Sequence, residues 1–391
     1  MDFEEIGAWL EKGADTAATE EDTVEGPTLR ERFLKTMAFE TDTPIPNFEF
    51  GYWDKTLEVW REQGMPAHVV DEASAYAYFG IENWAVLSCN PNPMPVCKHE
   101  ILRETEDRII YRDHYGCVAE INRYGDRSIP HYLEYPIKDR ASWEAFREKA
   151  MDPAHPDRWV GFEDCVARLQ HTTQPIGVHA GSLMGVPRNL IGFEQIATMP
   201  YEDPELLTDI INSFGECIVA VLEKALPRIQ VDLAMGWEDI CFNSGPILPP
   251  DYIREVVGPW YARISALLRQ HGCLTYTTDT DGNIWPIVDI FLDNGLDTMF
   301  PVEVHAGTDP VDLREKYGKD IKIWGGVCKM RIAEDKAAID REMERLRPCV
   351  EEGGFIPTMD HRVPANITYA NYLYYLDRKR DLFNIGGMPQ Y

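Results

Sequence analysis

Residues 231–239 read Val-Asp-Leu-Ala-Met-Gly-Trp-Glu-Asp, a short apolar segment that runs directly into two carboxylates. Three later stretches share this design: Leu-Thr-Tyr-Thr-Thr-Asp-Thr-Asp at 274–281, Thr-Met-Phe-Pro-Val-Glu-Val-His at 298–305 and Phe-Ile-Pro-Thr-Met-Asp-His at 355–361. Each is typical of a buried strand that ends in polar side chains. If these strands are parallel neighbours, their carboxyl ends form one mouth, which is where barrel enzymes hold their catalytic groups. The side chains predicted at this mouth are Glu238, Asp279, Asp281, Glu303, His305 and His361.

The pattern around these stretches alternates between helix and strand. Helical patterns occupy residues 161–169, 205–225 and 251–270, and strands are predicted at 176–180, 231–235, 274–278, 298–302, 321–324 and 355–358. Strands separated by helices predict parallel βα units. The first half of the chain can supply two more strands, which would close a (β/α)8 TIM barrel. An open doubly wound sheet is the alternative, but no Gly-x-Gly-x-x-Gly turn follows any predicted strand, which disfavours a nucleotide cofactor.

The first half also carries two additions to this repeat. Residues 1–45 are charged and helix-prone and predict an N-terminal helical extension, with a mobile stretch around residues 20–22. A strand-like run follows at 45–51. At 100–136, apolar runs flank a turn at 113–116, which predicts an inserted β-hairpin or small antiparallel sheet lying over one end of the main fold. We expect the whole chain, 1–391, to be one barrel domain.

Charge and cysteine content limit the partners and the compartment. The chain has 391 residues with 38 Lys and Arg against 66 Asp and Glu, a formal net charge of −28. Nucleic acid and anionic membranes are therefore not expected as partners, whereas a small-molecule substrate is, and a homodimer is left open. No signal-peptide or membrane-spanning pattern is present, so a cytoplasmic protein is expected. The nine cysteines form no Cys-x-x-Cys pair, which predicts reduced and mostly buried thiols.

Each predicted site residue also has a purely structural explanation. Acids that follow a strand can cap a helix, which applies to Glu238 and Asp239. Asp281 begins an ordinary turn sequence, whereas Asp279 ends an apolar strand where no turn role is needed. Four strand ends of the same design argue more strongly for a site than any one residue does. For three further residues the sequence is compatible both with a site role and with a hydrogen-bonded role in a loop: Glu303, His305 and His361.

Several motifs together carry a family resemblance. In the second half they are Gly-Trp-Glu-Asp at 236–239, Gly-Pro-Ile-Leu-Pro-Pro at 245–250, Asp-Thr-Asp-Gly-Asn at 279–283, Trp-Gly-Gly-Val-Cys-Lys at 324–329, and Asp-His-Arg-Val-Pro at 360–364 with Asn371. Upstream, residues 49–53, 181–182, 188 and 192–194 extend the likeness over most of the chain. The sequence resembles the uroporphyrinogen decarboxylase superfamily, and more closely its corrinoid-dependent methyltransferase branch. The resemblance implies a (β/α)8 barrel with an active site in its mouth.

The resemblance is compatible with two reactions, decarboxylation and methyl transfer. Decarboxylases of the superfamily carry an N-terminal segment of the type Arg-Gln-Ala-Gly-Arg that pairs the carboxylates of the porphyrinogen, and nothing like it occurs here. A polyacid substrate also fits poorly with a net charge of −28. The methyltransferase reading is therefore favoured. The alternatives are a decarboxylase of a uroporphyrinogen-like or smaller carboxylic acid, and a non-catalytic relative.

The resemblance also implies a metal site with altered ligands. Methyltransferases of this branch bind zinc through a His-x-Cys pair on one strand and a later Cys that precedes a Pro and an Asn. Those positions fall here on Asp279, Asp281 and His361. Two carboxylates and an imidazole can hold zinc or a harder divalent ion, with Glu238 as a further ligand. An oxygen-rich site suits an ether or alcohol oxygen better than a thiol.

From this difference we expect a methyltransferase that demethylates a methoxylated compound, such as an aryl methyl ether. The methyl group would pass to the cobalt of a corrinoid carried by a separate corrinoid protein. A metal ion or a carboxylic acid would stabilise the leaving oxygen. Proton-transfer or supporting roles are predicted for Glu238, Glu303 and His305. Four aromatic residues are predicted either to wall the substrate pocket or to pack in the core: Tyr52, Trp53, Trp237 and Tyr276.

Overall fold

The computed structural model describes residues 26–123, 130–387, 389 and 391. The predicted mobile stretch at 20–22 lies outside these residues. The strands, in chain order, are β1 (Ala85–Leu87), β2 (Glu100–Glu104), β3 (Arg108–Arg112), β4 (Val118–Asn122), β5 (His131–Glu134), β6 (Ile176–His179), β7 (Leu233–Trp237), β8 (Cys241–Phe242), β9 (Gly245–Pro246), β10 (Thr275–Asp279), β11 (Thr298–Phe300), β12 (Lys322–Val327) and β13 (Phe355–Met359).

The main sheet contains seven parallel strands in the order β1-β6-β7-β10-β11-β12-β13. Helices separate the successive strands and pack on the outside, which gives a (β/α)8 TIM barrel. All six strands predicted between residues 176 and 358 are present, with ends that differ by at most three residues from the prediction. The parallel order follows from the helical crossovers, because a parallel neighbour can be reached only by a connection of a dozen or more residues.

The helices, in chain order, are α1 (Leu29–Met37), α2 (Asp54–Glu62), α3 (Glu72–Phe79), α4 (Arg140–Ala150), α5 (Phe162–Leu169), α6 (Gly185–Ile191), α7 (Phe193–Glu202), α8 (Pro204–Ala225), α9 (Pro250–Tyr252), α10 (Gly258–Gln270), α11 (Val288–Asp293), α12 (Pro310–Tyr317), α13 (Lys329–Glu334), α14 (Lys336–Glu351) and α15 (Tyr369–Phe383). A π-helical turn, Ile253–Val257, joins α9 to α10 within the helix predicted at 251–270. Capping residues set several helix starts. Asp203, for example, accepts a hydrogen bond from the Leu206 amide 3.1 Å away, and Pro204 occupies the first position of α8.

The eighth position of the barrel is filled by residues 45–52, the strand-like run predicted from the sequence. Single bridges attach this segment at Ile45 to Ile385 and at Tyr52 to Val363. On its other side the Glu82 amide, just before β1, donates to the Asn47 carbonyl over 2.9 Å. The segment thus lies between β13 and β1, held by isolated bridges and side chains.

The interior of the barrel is filled by large apolar side chains. Phe48 of the eighth position stacks on Trp324 of β12 with ring centroids 5.3 Å apart. The same interior cluster contains Leu233 and Met235 of β7, Phe300 of β11 and Ile356 of β13. These residues alternate along their strands with residues that face the helices, as the two-residue repeat of a strand requires.

Helix α1, the described part of the N-terminal extension, covers the amino-terminal end of the barrel. Thr28 begins it with a capping box: the Glu31 amide donates to the Thr28 hydroxyl over 3.2 Å, and the Thr28 amide donates to the Glu31 carboxylate over 2.7 Å. Phe33 inserts into the interior cluster, 6.3 Å from Trp324. Arg30 pairs with Asp232 at 2.8 Å. The barrel is therefore closed at this end, which leaves the carboxyl ends of the strands as its mouth.

Strands β2 to β5 form a separate four-stranded antiparallel sheet. The insertion at 100–136, predicted as a hairpin or a small antiparallel sheet, thus has the second form. It contacts α6, since the Cys117 thiol donates to the Asn189 carbonyl over 3.5 Å and the Ile137 amide donates to the Leu190 carbonyl over 3.1 Å. Because α6 follows β6, the insertion lies beside the mouth.

The cysteines are free and mostly buried, as their spacing in the sequence predicts. All nine cysteines are free, and all but Cys97 are buried. Burial raises the pKa of the Cys89 thiol to about 12, so this group stays protonated at neutral pH. Among the helices of the described residues, none combines the length and apolar character needed to cross a membrane.

Candidate active site

Asp279 points into the mouth of the barrel. It is the last residue of β10, and its register partners on the neighbouring strands are Trp237 and Phe300. Paired residues of parallel strands face the same side of a sheet, and Phe300 belongs to the interior cluster. The carboxyl of Asp279 therefore occupies the last inward-facing position of its strand, above the apolar interior.

The surroundings of Asp279 favour its protonated form. The residue is only 8% exposed, and within the described part of the chain its carboxyl makes no side-chain hydrogen bond. Burial raises the pKa of Asp279 well above its usual value, and the charges of Asp281 and Asp239 add to the increase. A buried carboxyl beside other carboxylates stays neutral because the charged form would be both desolvated and repelled.

Asp281 and His361 form an ion pair across the mouth. The Nε2 atom of His361 lies 3.3 Å from Oδ2 of Asp281, and its Nδ1 atom lies 3.2 Å from the carbonyl oxygen of Arg362. Burial alone would lower the pKa of His361, but the hydrogen bond and charge of Asp281 outweigh it and raise the pKa above its usual value. The other oxygen of Asp281, Oδ1, is buried and has no hydrogen-bond partner among the described residues.

Glu303 and Lys329 form a second pair beside the first. The Lys329 ammonium donates to Oε1 of Glu303, and the Gly282 amide donates to Oε2 over 3.0 Å. Burial alone would raise the pKa of Glu303, but the hydrogen bond and charge of Lys329 outweigh it and lower the pKa. Glu303 is thus an ionised, paired carboxylate, unlike Asp279.

Asp360 joins three strand ends and was not predicted as a site residue. Its carboxylate is fully buried and accepts from the Val304 amide over 3.0 Å and from the Lys329 amide over 2.9 Å. Burial raises its pKa to about 6, partly offset by Lys329. The Asp360 side chain therefore holds the loops that carry Glu303 and Lys329 close to His361, the next residue in the chain. Its position in the 360–364 motif was the available sequence signal.

Glu238 has a different environment from the other acids. It is 1% exposed and accepts hydrogen bonds from the Tyr261 hydroxyl over 2.6 Å and the Ser182 hydroxyl over 3.2 Å. Three backbone amides at the start of α6 also donate to it, those of residues 183, 184 and 185, over 2.7 to 2.9 Å. With its acceptor positions used in this way, Glu238 caps α6 and ties it to β7. The geometry thus favours a structural role for it.

Arg188 brings α6 against the end of β7. Its guanidinium lies 5.3 Å from the ring centroid of Trp237, and its Nη1 atom is 3.2 Å from Oδ2 of Asp239. Asp239 has a φ of 44°, a left-handed conformation that few residues other than glycine adopt. This turn directs the carboxylate toward Arg188. Trp237, predicted as a pocket wall, lies at the mouth in contact with this cation.

Trp53 is the other predicted aromatic wall that lies at the mouth. Its ring centroid is 5.7 Å from that of His361, and the guanidinium of Arg362 lies 5.3 Å from the Trp53 ring. Arg362 is paired in turn with Glu72 at 2.6 Å. Phe50 contacts the opposite side of the site, 5.9 Å from the His361 ring and 4.7 Å from Phe300. The imidazole is therefore bordered by aromatic rings as well as by carboxylates.

Three of the predicted site residues lie elsewhere. Tyr52 is buried in an aromatic core, where its hydroxyl contacts that of Tyr372 at 2.7 Å. Tyr276 is buried on the outer face of β10, 6.4 Å from Tyr261. His305 is exposed in a 3-10 turn after β11, with no hydrogen bond or ion pair to the described site residues. Both tyrosines therefore pack in the core and do not line the substrate pocket.

The predicted metal ligands are near one another but are not arranged around a common point. Within the described residues, no three His, Cys, Asp or Glu side chains have an arrangement suited to a metal ion. The donor atoms of Asp281 and His361 face each other, and the second ring nitrogen of His361 faces a carbonyl oxygen. Among the described residues this geometry does not fit a zinc or other divalent site, so the metal stays a prediction from the sequence.

The fold and the acid-lined mouth define a TIM-barrel protein with a polar site at the carboxyl ends of its strands. The family profile described as uroporphyrinogen decarboxylase (URO-D) matches residues 116–381. The chain belongs to this family, which confirms the resemblance to the superfamily seen in its motifs. A comparison with curated protein sequences found no match.

Solved structures match this chain at low sequence identity. A methyltransferase from Methanosarcina mazei matches with a TM-score of 0.59 and 16% identity, over 92% of this chain and 100% of that chain. A B12-independent methionine synthase from Shewanella sp. W3-18-1, in complex with selenomethionine, matches with a TM-score of 0.36 and 12% identity, over 55% of this chain and 63% of that chain. The first match shows a shared fold.

Proposed function

We propose that the protein is a methyltransferase that demethylates a methoxylated substrate, such as an aryl methyl ether, with acid assistance to the leaving oxygen. The observation that carries this proposal is the buried carboxyl of Asp279 in the mouth, beside the Asp281–His361 pair, with no hydrogen-bond partner for its side chain among the described residues. A neutral carboxylic acid in a desolvated site can donate a proton at neutral pH. Membership of the URO-D family supports an enzyme of the decarboxylase or methyltransferase type.

The chemistry needs a proton at the ether oxygen. When the methyl–oxygen bond breaks, its electron pair stays on the oxygen, and a proton from Asp279 converts the leaving oxyanion into a hydroxyl. General acid catalysis of this kind contributes ~10² to 10⁴ in rate. A cobalt(I) corrinoid, presented by a separate corrinoid protein, supplies the nucleophile to which the methyl carbon bonds.

The cations of the mouth support a substrate without several carboxylates. Three cations in the described part of the mouth already have a carboxylate partner: Arg188 pairs with Asp239, Arg362 with Glu72, and Lys329 with Glu303. A polyacid would have to compete with these internal pairs, and it would also approach a chain of net charge −28. A neutral ether does not compete with these ion pairs and is not repelled by the negative charge of the chain. The aromatic rings of Trp53 and Trp237 offer it apolar contact.

The proposal is tested with purified protein, a reduced corrinoid and a panel of methoxylated aromatic compounds. The demethylated product is measured by chromatography, and the corrinoid by its absorbance. The test variant is Asp279→Asn, which is neutral and of similar shape, so that a protonated Asp279 is replaced without a change of charge. The control is Asp251→Asn, which alters an exposed aspartate at the start of α9.

We expect demethylated product in stoichiometric amounts with the methylated corrinoid. Asp279→Asn should lower kcat by ~10² to 10⁴ with an unchanged thermal midpoint, while Asp251→Asn should behave like the wild type. Release of carbon dioxide from a carboxylic acid, with no demethylation of any ether, would establish the decarboxylase alternative instead. Full activity of Asp279→Asn would refute the role of Asp279.

A further inference from the structure

His179 is a buried histidine at the end of β6 that has no part in the reaction proposed above. It is 3% exposed and is paired in register with Met235 of β7. Paired residues of neighbouring parallel strands face the same side of a sheet, and Met235 belongs to the interior cluster. The imidazole therefore points inward, from the last inward-facing position of β6.

The position of His179 in the barrel makes it level with Asp279. A TIM barrel has a shear of eight residues over eight strands, so that side chains at one height advance toward the carboxyl end by about one residue per strand. The register partner of His179 is Met235, and the register partner of Met235 is Thr277 on β10. Two strands along, the residue at the height of His179 is therefore two positions beyond Thr277, which is Asp279. Both side chains thus belong to one layer of the barrel, because a layer is built from alternate strands.

The strand between these two residues carries Trp237. Its register partner is Asp279, so that the indole faces inward as well. The Trp237 amide donates to the Gly181 carbonyl over 3.1 Å, which ties the end of β7 to the turn that follows His179. An aromatic ring that lies against this indole therefore has Asp279 on one side and His179 on the other.

The hydrogen bonds of His179 leave one ring nitrogen without a partner. Nδ1 accepts from the Gly181 amide over 2.9 Å, so that the hydrogen of the neutral ring lies on Nε2. Burial lowers the pKa of His179 to about 4, which keeps the ring neutral at pH 7. Within the described residues no hydrogen-bond acceptor contacts Nε2. A buried donor without a partner is destabilising, and an acceptor atom on a bound substrate would satisfy it.

We propose that His179 is a specificity residue whose Nε2–H donates a hydrogen bond to a second oxygen on the aromatic ring of the substrate. This inference rests on the proposed function, and it narrows the substrate class to aryl methyl ethers that carry a further hydroxyl or methoxy group. Asp279 meets the ether oxygen that loses its methyl group. On the other side of Trp237, His179 holds the second oxygen, and no bond to His179 forms or breaks in the reaction.

Selectivity among substrates tests this role. Demethylation rates with reduced corrinoid are measured for methoxybenzene and for the three isomers of methoxyphenol. The test variant is His179→Asn, because an asparagine oxygen can accept from the amide two residues further on and so keep the contact with Gly181, whereas its shorter side chain does not reach the place of Nε2. The control is His171→Asn, which alters an exposed histidine that precedes β6 in the chain.

We expect the wild type to prefer at least one methoxyphenol over methoxybenzene by roughly 10- to 100-fold in kcat/KM. His179→Asn should lose this preference through a higher KM for the methoxyphenol, with little change in the rate for methoxybenzene, and His171→Asn should keep it. No preference in the wild type, or an undiminished preference in His179→Asn, would overturn the proposal. Equal losses with all four compounds would also overturn it, since they would indicate a structural role.

Binding of the demethylated products separates this inference from the proposed function. Calorimetry without corrinoid measures the affinities of the wild type and of His179→Asn for phenol and the three benzenediols. We expect at least one diol to bind the wild type roughly 10-fold more tightly than phenol and to lose this advantage in the variant. If no ether is demethylated, the proposed function fails, while a diol preference that depends on residue 179 still supports the hydrogen bond. Equal affinities of the wild type for phenol and for every diol would refute the hydrogen bond, and this comparison decides even where His179→Asn does not fold.

Discussion

Removal of the buried ammonium of Lys379 should strongly destabilise the barrel. Lys379 Nζ lies 2.7 Å from Oε1 of Glu49, and both side chains are fully buried. The ammonium also donates to the Phe48 carbonyl over 3.0 Å. Glu49 further accepts from the Tyr375 hydroxyl over 2.7 Å and the Met359 amide over 3.0 Å. These contacts join the eighth position of the barrel to β13 and α15, where regular strand pairing is absent.

The expected magnitude follows from what each substitution leaves behind. In Lys379→Met the Glu49 carboxylate stays buried with two donors but no cation, and breaking a buried ion pair on one side costs about 3–5 kcal/mol. Glu49→Gln should cost a similar amount because it leaves the ammonium without its counter-charge. The double variant replaces both charges, so its loss should be well below the sum of the two single losses.

The assay is urea unfolding followed by circular dichroism, with all variants at one protein concentration. The matched control is Lys55→Met, which breaks an exposed pair with Glu58 at 3.0 Å and should leave the midpoint unchanged. Single variants that lose less than about 1 kcal/mol would refute the argument that this pair holds the eighth position. An additive double variant would show that the two charges do not interact.

Three further predictions concern groups near the mouth. Tyr261→Phe removes the 2.6 Å hydrogen bond to Glu238 and should lower the free energy of unfolding by about 1.5–3 kcal/mol, measured by thermal denaturation; no change would show that this hydrogen bond does not stabilise the buried carboxylate. Asp360 has a pKa of about 6 in the folded protein, above its unfolded value, so its contribution to stability is present below about pH 4 and is lost as the pH rises through 6. Asp360→Asn should remove roughly 2–3 kcal/mol of this pH dependence, measured as unfolding free energies at pH 4.5 and 7.5; equal slopes in both proteins would oppose it. The ammonium of Lys329 lowers the pKa of Glu303, so the stability that Glu303 contributes is present above its unfolded pKa and is lost as the pH falls through its folded pKa. Lys329→Met should therefore make the loss of unfolding free energy at acid pH shallower than in the wild type. A steeper loss would oppose the pairing.

The local sequence pattern was sufficient to predict the strands, but it could not predict how the barrel closes. The apolar runs of β7 and β13 predict buried strands, since burial on both faces requires continuous apolar sequence, and the threonine-rich β10 is predicted by its β-branched residues. The segment at 45–52 also has a strand-like pattern. Its attachment, however, depends on Lys379 and Val363, more than 300 residues further along the chain. No local periodicity encodes such a pairing.

The predicted site residues show the same division. Glu238 and Asp279 each come at the end of a predicted strand, and the sequence leaves Glu238 open between a helix cap and a site role. Tertiary structure brings the amides of α6 and the Tyr261 hydroxyl to Glu238 and leaves Asp279 without a partner among the described residues. One signal was available in the sequence, because Tyr276 is three residues before Asp279 and two-residue alternation places it on the opposite face of β10.

By itself the sequence determined the parallel βα repeat, the end of the barrel that carries the polar residues, and the family. Only the tertiary structure decided which of those residues face one another and which are hydrogen-bonded or desolvated. The physical reason is that periodicity acts between residues a few positions apart, whereas the charge state of a carboxyl or imidazole depends on atoms within a few ångströms in space. Asp281 and His361, 3.3 Å apart across the mouth, meet only because β10 and β13 belong to one closed barrel.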